Sequence, residues 1–260
     1  MENKPIDYKR WYDAAHLRVS TRQYGGAPDG SELERLDLLT KALAGDGIRI
    51  KLAESTEKLF SSLIARSIKG VTHVALLIGK EDSPYIRVGY KGEALVLEAT
   101  AMGLATCWMA GTYKQRDARN LAELGEGEKL FGLITIGKST MPLAEVPDGE
   151  RKRKPLERLV QSEKGMSLAD IAQWQNTALK CARIAPSAMN MQPWRFACTK
   201  GIICMVASGL FNKSAELDLG IAMLHIDLGA AVEGIRGSWG VDGAVWVFST
   251  AEANEQEETD

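Results

Sequence analysis

The sequence predicts an α+β chain built as two fused half-units sharing one core. Two runs, Val71–Ile78 (VTHVALLI) and Leu130–Ile136 (LFGLITI), are apolar and rich in β-branched residues, as buried strands are. Two stretches, Gly92–Gly103 and Leu219–Val232, are strongly apolar at lengths and compositions that favour helix. The order helix, motif, strand, helix, strand occurs twice, with those two helices in matching places. This is a diverged internal repeat of element order rather than of identity. The expected division is residues 1–160, residues 161–250, and an acidic, disordered tail at 251–260 (AEANEQEETD). The chain has 260 residues, 45% hydrophobic and 25% charged, enough for a substantial core.

In chain order, Pro5–Leu17 reads as a helix with Ile6, Tyr12, Ala15 and Leu17 on an apolar face. It stops at RVSTRQYGGAPDG, which ends in Gly and Pro breakers. Ser31, with Glu34 in the capping-box place, opens a second helix along Leu33, Leu36, Leu39 and Leu43. Ile48–Leu52 is a short strand and Glu57–Ser67 a helix. After the helix at Gly92–Gly103, GLATCWMAG breaks the periodicity and turns at Ala110-Gly111. Lys138–Gly165, rich in charge and proline, reads as a long irregular crossing. Ser167 with Asp170 opens a helix that ends near Arg183, and Arg195–Cys198 with Ile202–Ala207 form a hairpin around TKG. Asp218 caps the helix Leu219–Val232, and Val245–Ser249 is a final strand.

Several function classes are excluded by composition. A net charge of −2 carries no basic excess for nucleic acid or an anionic membrane surface. No apolar run approaches membrane-spanning length, and the N-terminus MENKPIDYKRWYD lacks a signal-peptide core, so a cytoplasmic protein is expected. The four cysteines, Cys107, Cys181, Cys198 and Cys204, form no C-x-x-C pair and read as free thiols. His16, His73 and His225 match no metal spacing. No Ser-His-Asp set, Walker loop or dinucleotide fingerprint is present. Asn212-Lys213-Ser214 fits a glycosylation sequon, which carries no weight without secretion.

Three stretches carry candidate chemistry. In RVSTRQY, Arg18, Ser20 and Arg22 alternate, so an extended backbone turns two guanidiniums and a hydroxyl to one side. Forked donors of that kind match a phosphate, although a charged surface segment has the same pattern. In APSAMNMQPWRF (Ala185–Phe196), Pro186 and Pro193 stiffen the chain, Ser187 and Asn190 offer polar groups suited to the edge of a planar heterocycle, and Trp194 anchors the turn. A plain turn between helix and strand is the alternative. In GLATCWMAGTY, the turn Ala110-Gly111 exposes backbone N–H groups that a ligand can approach closely. Cys107 lies in an apolar setting without a neighbouring His and reads as structural. Arg151–Lys154 (RKRK) taken alone reads as a solvated face.

Together R-x-S-x-R-x-Y, A-P-S-A-x-N-x-Q-P-W-R-F and G-L-x-T-C-W-x-x-G resemble the segments of the FMN-dependent nitroreductase family over most of the chain. The resemblance implies that family's fold, a mixed, mainly antiparallel sheet flanked by helices. In the family all three segments lie on one subunit of a homodimer, the P-S-A-x-N segment before the G-L-x-T-C-W segment. Here it follows, only the first half carries R-x-S-x-R, and only the second carries P-S-A-x-N. This resembles a tandem branch in which one polypeptide imitates the dimer. It implies one FMN per chain, at the junction of the halves, and a monomer, with a homodimer as the alternative. The resemblance implies that Arg18, Ser20 and Arg22 hold the flavin phosphate and ribityl chain. It assigns Pro186, Ser187 and Asn190 to the flavin ring, the backbone of Ala110 and Gly111 to its N5, and Arg87 to the ring edge. RKRKPL resembles the family's late basic motif, which implies that Arg153, with Arg151, joins the phosphate site.

The implied activity is NAD(P)H-dependent reduction of an electron-poor small molecule, such as a nitroaromatic or quinone, through flavin N5 and without a catalytic side chain. A flavin-binding sensor or carrier and a degenerate scaffold are the alternatives.

Overall fold

The computed structural model describes residues 7–54, 57–60, 68–147, 150–209, 213–251 and 253. The expected tail lies almost wholly outside these residues, as do Asn212 of the sequon and the stretch from 61 to 67 of the expected helix Glu57–Ser67. Glu57–Phe60 of that stretch forms a single 3-10 turn. Contacts group the described residues into a central unit, His16–Val146, and a split unit made of the residues up to Ala15 and from Pro147 on. The second boundary falls earlier than the expected 160/161. Residues ahead of that position are already bonded within the split unit: Phe196 N–H donates to the Leu159 carbonyl at 2.8 Å and Arg153 Nη2 to the Ile184 carbonyl at 3.1 Å.

Helix α1 (Tyr8–Leu17) carries the first boundary. The central unit then runs β1 (Tyr24–Gly26), α2 (Gly30–Leu43), β2 (Ile48–Glu54), β3 (His73–Lys80), α3 (Tyr85–Ala101), β4 (Leu104–Met109), α4 (Gln115–Ala122) and β5 (Glu128–Ser139). Its sheet has the order β1-β5-β3-β2, and β4 also pairs with β5. These pairings are antiparallel, and two isolated bridges, Ser20 with Thr106 and Gln23 with Lys69, are parallel. The apolar runs read from sequence are the central strands. Val74–Ile78 of β3 is wholly buried and pairs with Leu130–Thr135 of β5. The core beneath is built from Val74, Leu76, Ile78, Ala105, Cys107 and Leu133, with Leu59 and Phe60 of the 3-10 turn.

Helix α3 begins seven residues before the expected Gly92. Its two glycines, Gly89 and Gly92, are both buried inside the helix. A Cβ on Gly92 would lie 2.3 Å from Cη2 of Trp108 on β4. The helix and strand therefore approach as closely as they do only because that position lacks a side chain. Helix α2 is capped by Asp29, not Ser31: the Asp29 carboxylate accepts Glu32 N–H at 3.0 Å and Glu32 returns the bond to Asp29 N–H at 2.7 Å. Asp29 and Ser31 each have a glutamate three residues on, so the local pattern fits both.

The split unit holds α5 (Gln173–Ile184), β6 (Trp194–Thr199), β7 (Ile202–Ala207), α6 (Lys213–Val232), β8 (Gly237–Asp242) and β9 (Val245–Thr250). The sheet order is β6-β7-β9-β8, antiparallel throughout, with the expected hairpin at its start. Helix α5 starts at Gln173, because Ser167 spends its hydroxyl on the Asp170 carboxylate at 2.5 Å in a turn that does not continue. Helix α6 starts before Asp218, which is not a cap but a buried residue of its second turn. The two helices cross closely: a Cβ on Gly229 would lie 2.4 Å from the Ala178 Cα. Strands β1, β4 and β8 and helix α4 have no counterpart among the elements expected from the sequence. Among the described residues no helix is long and apolar enough to cross a membrane.

Gly92→Ala tests the α3–β4 contact. Helix propensity alone favours alanine by about 1 kcal/mol, while overpacking against an indole ring costs about 1–3 kcal/mol. Urea unfolding should show a net loss of stability. A gain would mean that the ring moves aside freely.

Candidate functional site

In the central unit, the segment between α1 and β1 is threaded along β4. Thr21 N–H donates to the Thr106 carbonyl at 2.9 Å, and Lys69 N–H donates to that of Arg22 at 2.8 Å. Tyr24, buried at the end of the segment, anchors it: its hydroxyl donates to the Thr21 carbonyl at 2.8 Å and hydrogen-bonds the Thr135 hydroxyl at 2.6 Å. The alternation then does what extended backbone requires. Arg18 Nη1 donates to Ser20 Oγ at 3.4 Å, and Arg18, Ser20 and Arg22 all adjoin Cys107 on β4. Arg18 is 3% exposed, whereas Ser20 and Arg22 are exposed.

The electrostatics of this cluster follow from that burial. Desolvation pulls the Arg18 guanidinium below its ordinary value, and Glu93 and then Cys107 oppose the shift. Glu93, fully buried on α3, accepts Trp108 Nε1–H at 2.8 Å. Cys107 belongs to the apolar core, as expected, and also feels the charge of the Arg22 and Arg18 guanidiniums. Burial still dominates and pushes its thiol up, against Arg22, Arg18 and a hydrogen bond with Ser20. It is therefore held as a thiol rather than a nucleophilic thiolate.

Ala110 and Gly111 form an exposed turn just after β4, and a Cβ on Gly111 would meet nothing within 4 Å. Arg87 is exposed in the first turn of α3.

In the split unit, Pro186 is buried, and Ser187 and Asn190 lie in a loop of unusual backbone. Met189, Asn190 and Gln192 have φ of 49°, 58° and 48°. Asn tolerates the left-handed region, but each of the others costs about 1–2 kcal/mol there. Hydrogen bonds hold the loop against that cost. Ser187 Oγ accepts Gln192 N–H at 2.8 Å. Gln192, 3% exposed, accepts Lys154 N–H on its side-chain oxygen at 2.7 Å and donates to the Asn190 carbonyl at 3.1 Å. Asn190 Nδ2 donates to the Lys152 carbonyl at 2.7 Å, and Asn190 Oδ1 accepts Arg153 Nη1–H at 2.8 Å. Arg153 Nη2 also donates to the Ile184 carbonyl at 3.1 Å, and Lys154 Nζ to that of Met191 at 2.7 Å. Burial, then Arg195, pulls the Lys154 ammonium below its ordinary value. Arg151 is buried at 9% exposure. The basic run is thus joined to the loop, with Arg151 buried and Arg153 and Lys154 half-buried where composition alone suggests a solvated face. Gln192 and Lys154 were absent from the sequence-based site, because nothing local marks a glutamine as a buried hub.

Below the loop, Ala188 N–H donates to both carboxylate oxygens of Asp218, each at 3.0 Å. Burial pushes this carboxyl up to about 7, opposed by the Ala188 bond. Cys181 Sγ lies 3.7 Å from His225 Nδ1, but that nitrogen is 3.0 Å from the Cys181 carbonyl, which fixes a proton on it. It cannot then take the thiol proton, and both residues are fully buried. Among the described residues no group of three or more His, Cys, Asp or Glu is placed to hold a metal ion.

The Asp218 carboxyl has a pH consequence. Folded, it keeps its proton to about pH 7. Unfolded, it releases it near pH 4 (about 3.9 for a free Asp). Between these the folded state binds more protons, so stability from this group falls as pH rises from about 4 to about 7 and is flat above. Asp218→Asn keeps an acceptor for Ala188 and abolishes the titration. Thermal unfolding should show the wild type losing stability relative to this variant across that window. A difference independent of pH would contradict the assignment.

Comparison with known proteins bears on what this arrangement serves. A family model described as "Putative TM nitroreductase" matches residues 11–230. No curated protein matches the chain. Among solved structures the chain is similar to a Thermotoga maritima protein described as a "putative nitroreductase", at 19% identity over 96% of this chain and 99% of that one, with a TM-score of 0.65. It is also similar to a nitroreductase family protein of Clostridium difficile 630 (19% identity, 58% and 97% of the two chains, TM-score 0.48). A third is an FMN-dependent nitroreductase of Clostridium difficile R20291 (13% identity, 54% and 94%, TM-score 0.45). The full-length likeness to the Thermotoga protein shows a nitroreductase-like fold, and with the family model spanning both units the chain belongs to the nitroreductase family.

Proposed function

We propose that the chain is an FMN-dependent oxidoreductase carrying one FMN per polypeptide. The observation that supports this most is the convergence of Arg18, Ser20 and Arg22 beside β4 in a member of the nitroreductase family. Two guanidiniums and a hydroxyl supply the charge and the donors that a phosphate monoester accepts. Ser20 and Arg22 are exposed to reach it, and buried Arg18 supplies field from behind. The turn at Ala110-Gly111 leaves room for a planar ring to approach backbone N–H groups. The resemblance assigns Pro186, Ser187 and Asn190 to the ring and Arg87 to its edge.

When bound, FMN supplies hydride chemistry between a reduced nicotinamide, NADH or NADPH, and an electron-poor acceptor such as a nitroaromatic or quinone. The chain's own part is to bind and orient the ring and to hold donors near its pyrimidine edge.

The test is the visible spectrum of the purified protein, with released flavin quantified against polypeptide, followed by NAD(P)H oxidation with an added quinone. One FMN per chain with steady turnover is expected. Flavin without turnover would favour a sensor or carrier, two flavins would contradict the single site, and no flavin after reconstitution would leave a scaffold. Arg22→Ala should weaken FMN binding by about 1.5–3 kcal/mol, the range for a charge-assisted hydrogen bond. Fluorescence titration reads this directly.

A further inference from the structure

The sheet of the split unit ends in an open edge. Among the described residues β8 pairs with β9 alone, at the end of the order β6-β7-β9-β8. Its residues are exposed except Trp239, which is half-buried. Alternate residues of an edge strand turn their N–H and C=O groups away from the sheet, where a further strand can take them. Lysine, proline or a bulge commonly blunts such an edge. Strand β8 has no lysine or proline, and its register with β9 is unbroken from Gly237–Thr250 to Asp242–Val245.

The central unit covers the corresponding edge of its own sheet. Strand β4 follows a buried helix through the stretch GLATCW from Gly103, and β8 follows one through GIRGSW from Gly234. Both glycines hold positive φ, at 82° and 80°. Beside β4 runs the segment before β1, whose Thr21 N–H donates to the Thr106 carbonyl at 2.9 Å. Gly237 stands in the place of Thr106, and no described segment of the split unit is bonded to it from outside the sheet.

The two ends of β8 carry opposite charges. Arg236 is exposed just before the strand, its guanidinium carbon 4.1 Å from the centre of the Tyr8 ring, and Asp242 is exposed at the far end. Trp239 lies midway between them. An antiparallel two-fold pairing about Trp239 sets Arg236 opposite the partner's Asp242 at both ends. It sets Val241, 61% exposed, opposite the partner's Gly237, and Ser238 opposite the partner's Gly240. The opposed positions are of the same parity, so groups facing outward on one copy meet those facing outward on the other.

We propose that β8 is a self-association surface, through which two copies of this chain join their sheets edge to edge, antiparallel about Trp239. The occupant is a second copy because the strand complements its own reverse. Charge meets opposite charge at both ends, and the bulkiest exposed side chain meets a glycine. The contact is one strand wide, so the dimer is weak and the chain is a monomer when dilute.

Sedimentation velocity of the full chain from about 1 µM to about 1 mM reads the association, and amide exchange reads its place. The wild type should rise from the 28.4 kDa monomer towards a dimer, with the β8 amides gaining protection as concentration rises. Arg236→Glu and Asp242→Arg each bring like charges together at both ends and should raise the dissociation constant on the order of tenfold. The two combined should restore it. Salt should weaken the wild-type dimer and strengthen that of either single variant. Val241→Lys should abolish association with the monomer's thermal unfolding unchanged, and it serves if a charge variant does not fold. A monomer at every concentration would overturn the proposal. A dimer indifferent to all these substitutions, or charge reversals that do not rescue one another, would overturn it too. Equal protection of β8 at all concentrations would do the same, since the chain would then cover this edge itself.

Discussion

A guanidinium keeps its charge at any pH a protein meets, so burying Arg18 to 3% exposure constrains everything packed around it. A buried charge left unanswered costs several kcal/mol. The central unit answers it with Glu93 from α3 and with the Ser20 hydroxyl from its own segment. Glu93 is itself fully buried and is steadied by Trp108 Nε1–H. Trp108 can stand there only because Gly92, one residue before Glu93, has no side chain. The helix–strand contact is therefore packing and electrostatics at once. The donors beside β4 inherit their position from it.

The loop of the split unit meets its constraint differently. Its left-handed residues are not glycines, so sterics oppose the backbone and hydrogen bonds must hold it. Gln192 does most of this while almost fully buried, touching Lys154 and Asn190. Met189 and Met191 stay exposed on the same loop, at 94% and 63%. Within residues 189–192 the two polar side chains are thus fixed and the two methionines left outward. Ordering such a loop before a ligand arrives removes part of the entropy that binding would otherwise cost.

How much of this was legible varied with the range of the cause. Strands β3 and β5 carry apolar runs with β-branched residues at their centres, Val74–Ile78 and Leu130–Ile136, so composition announces them. Strand β4 has one β-branched residue, Thr106, and is a strand because β5 pairs with it. Strand β8 is glycine-containing and largely exposed, and only its pairing with β9 defines it. Helix α3 starts at Tyr85, ahead of the expected Gly92, and Gly92 lies inside it because the facing Trp108 indole leaves no room for a side chain there. The two expected serine caps give way for different reasons. Ser31 lies inside α2 because Asp29 carries the same spacing and caps the helix, whereas Ser167 with Asp170 closes a turn as readily as it would open a helix.

The sequence by itself determined the α+β content, the buried strands, the family and the shared side of Arg18, Ser20 and Arg22. Each of these depends on composition, on motif, or on backbone geometry over a few residues. Only the tertiary structure decided which charge meets which partner. Arg153 and Asn190 are 37 residues apart in the chain, and Ala188 and Asp218 are 30 apart. A basic run looks the same whether it faces water, a phosphate or an asparagine. A carboxylate before an apolar helix looks like a cap until the helix is seen to begin earlier. Which side chains end up facing one another is set by the packing of α5, α6 and the crossing segment around one loop, and no local pattern encodes that.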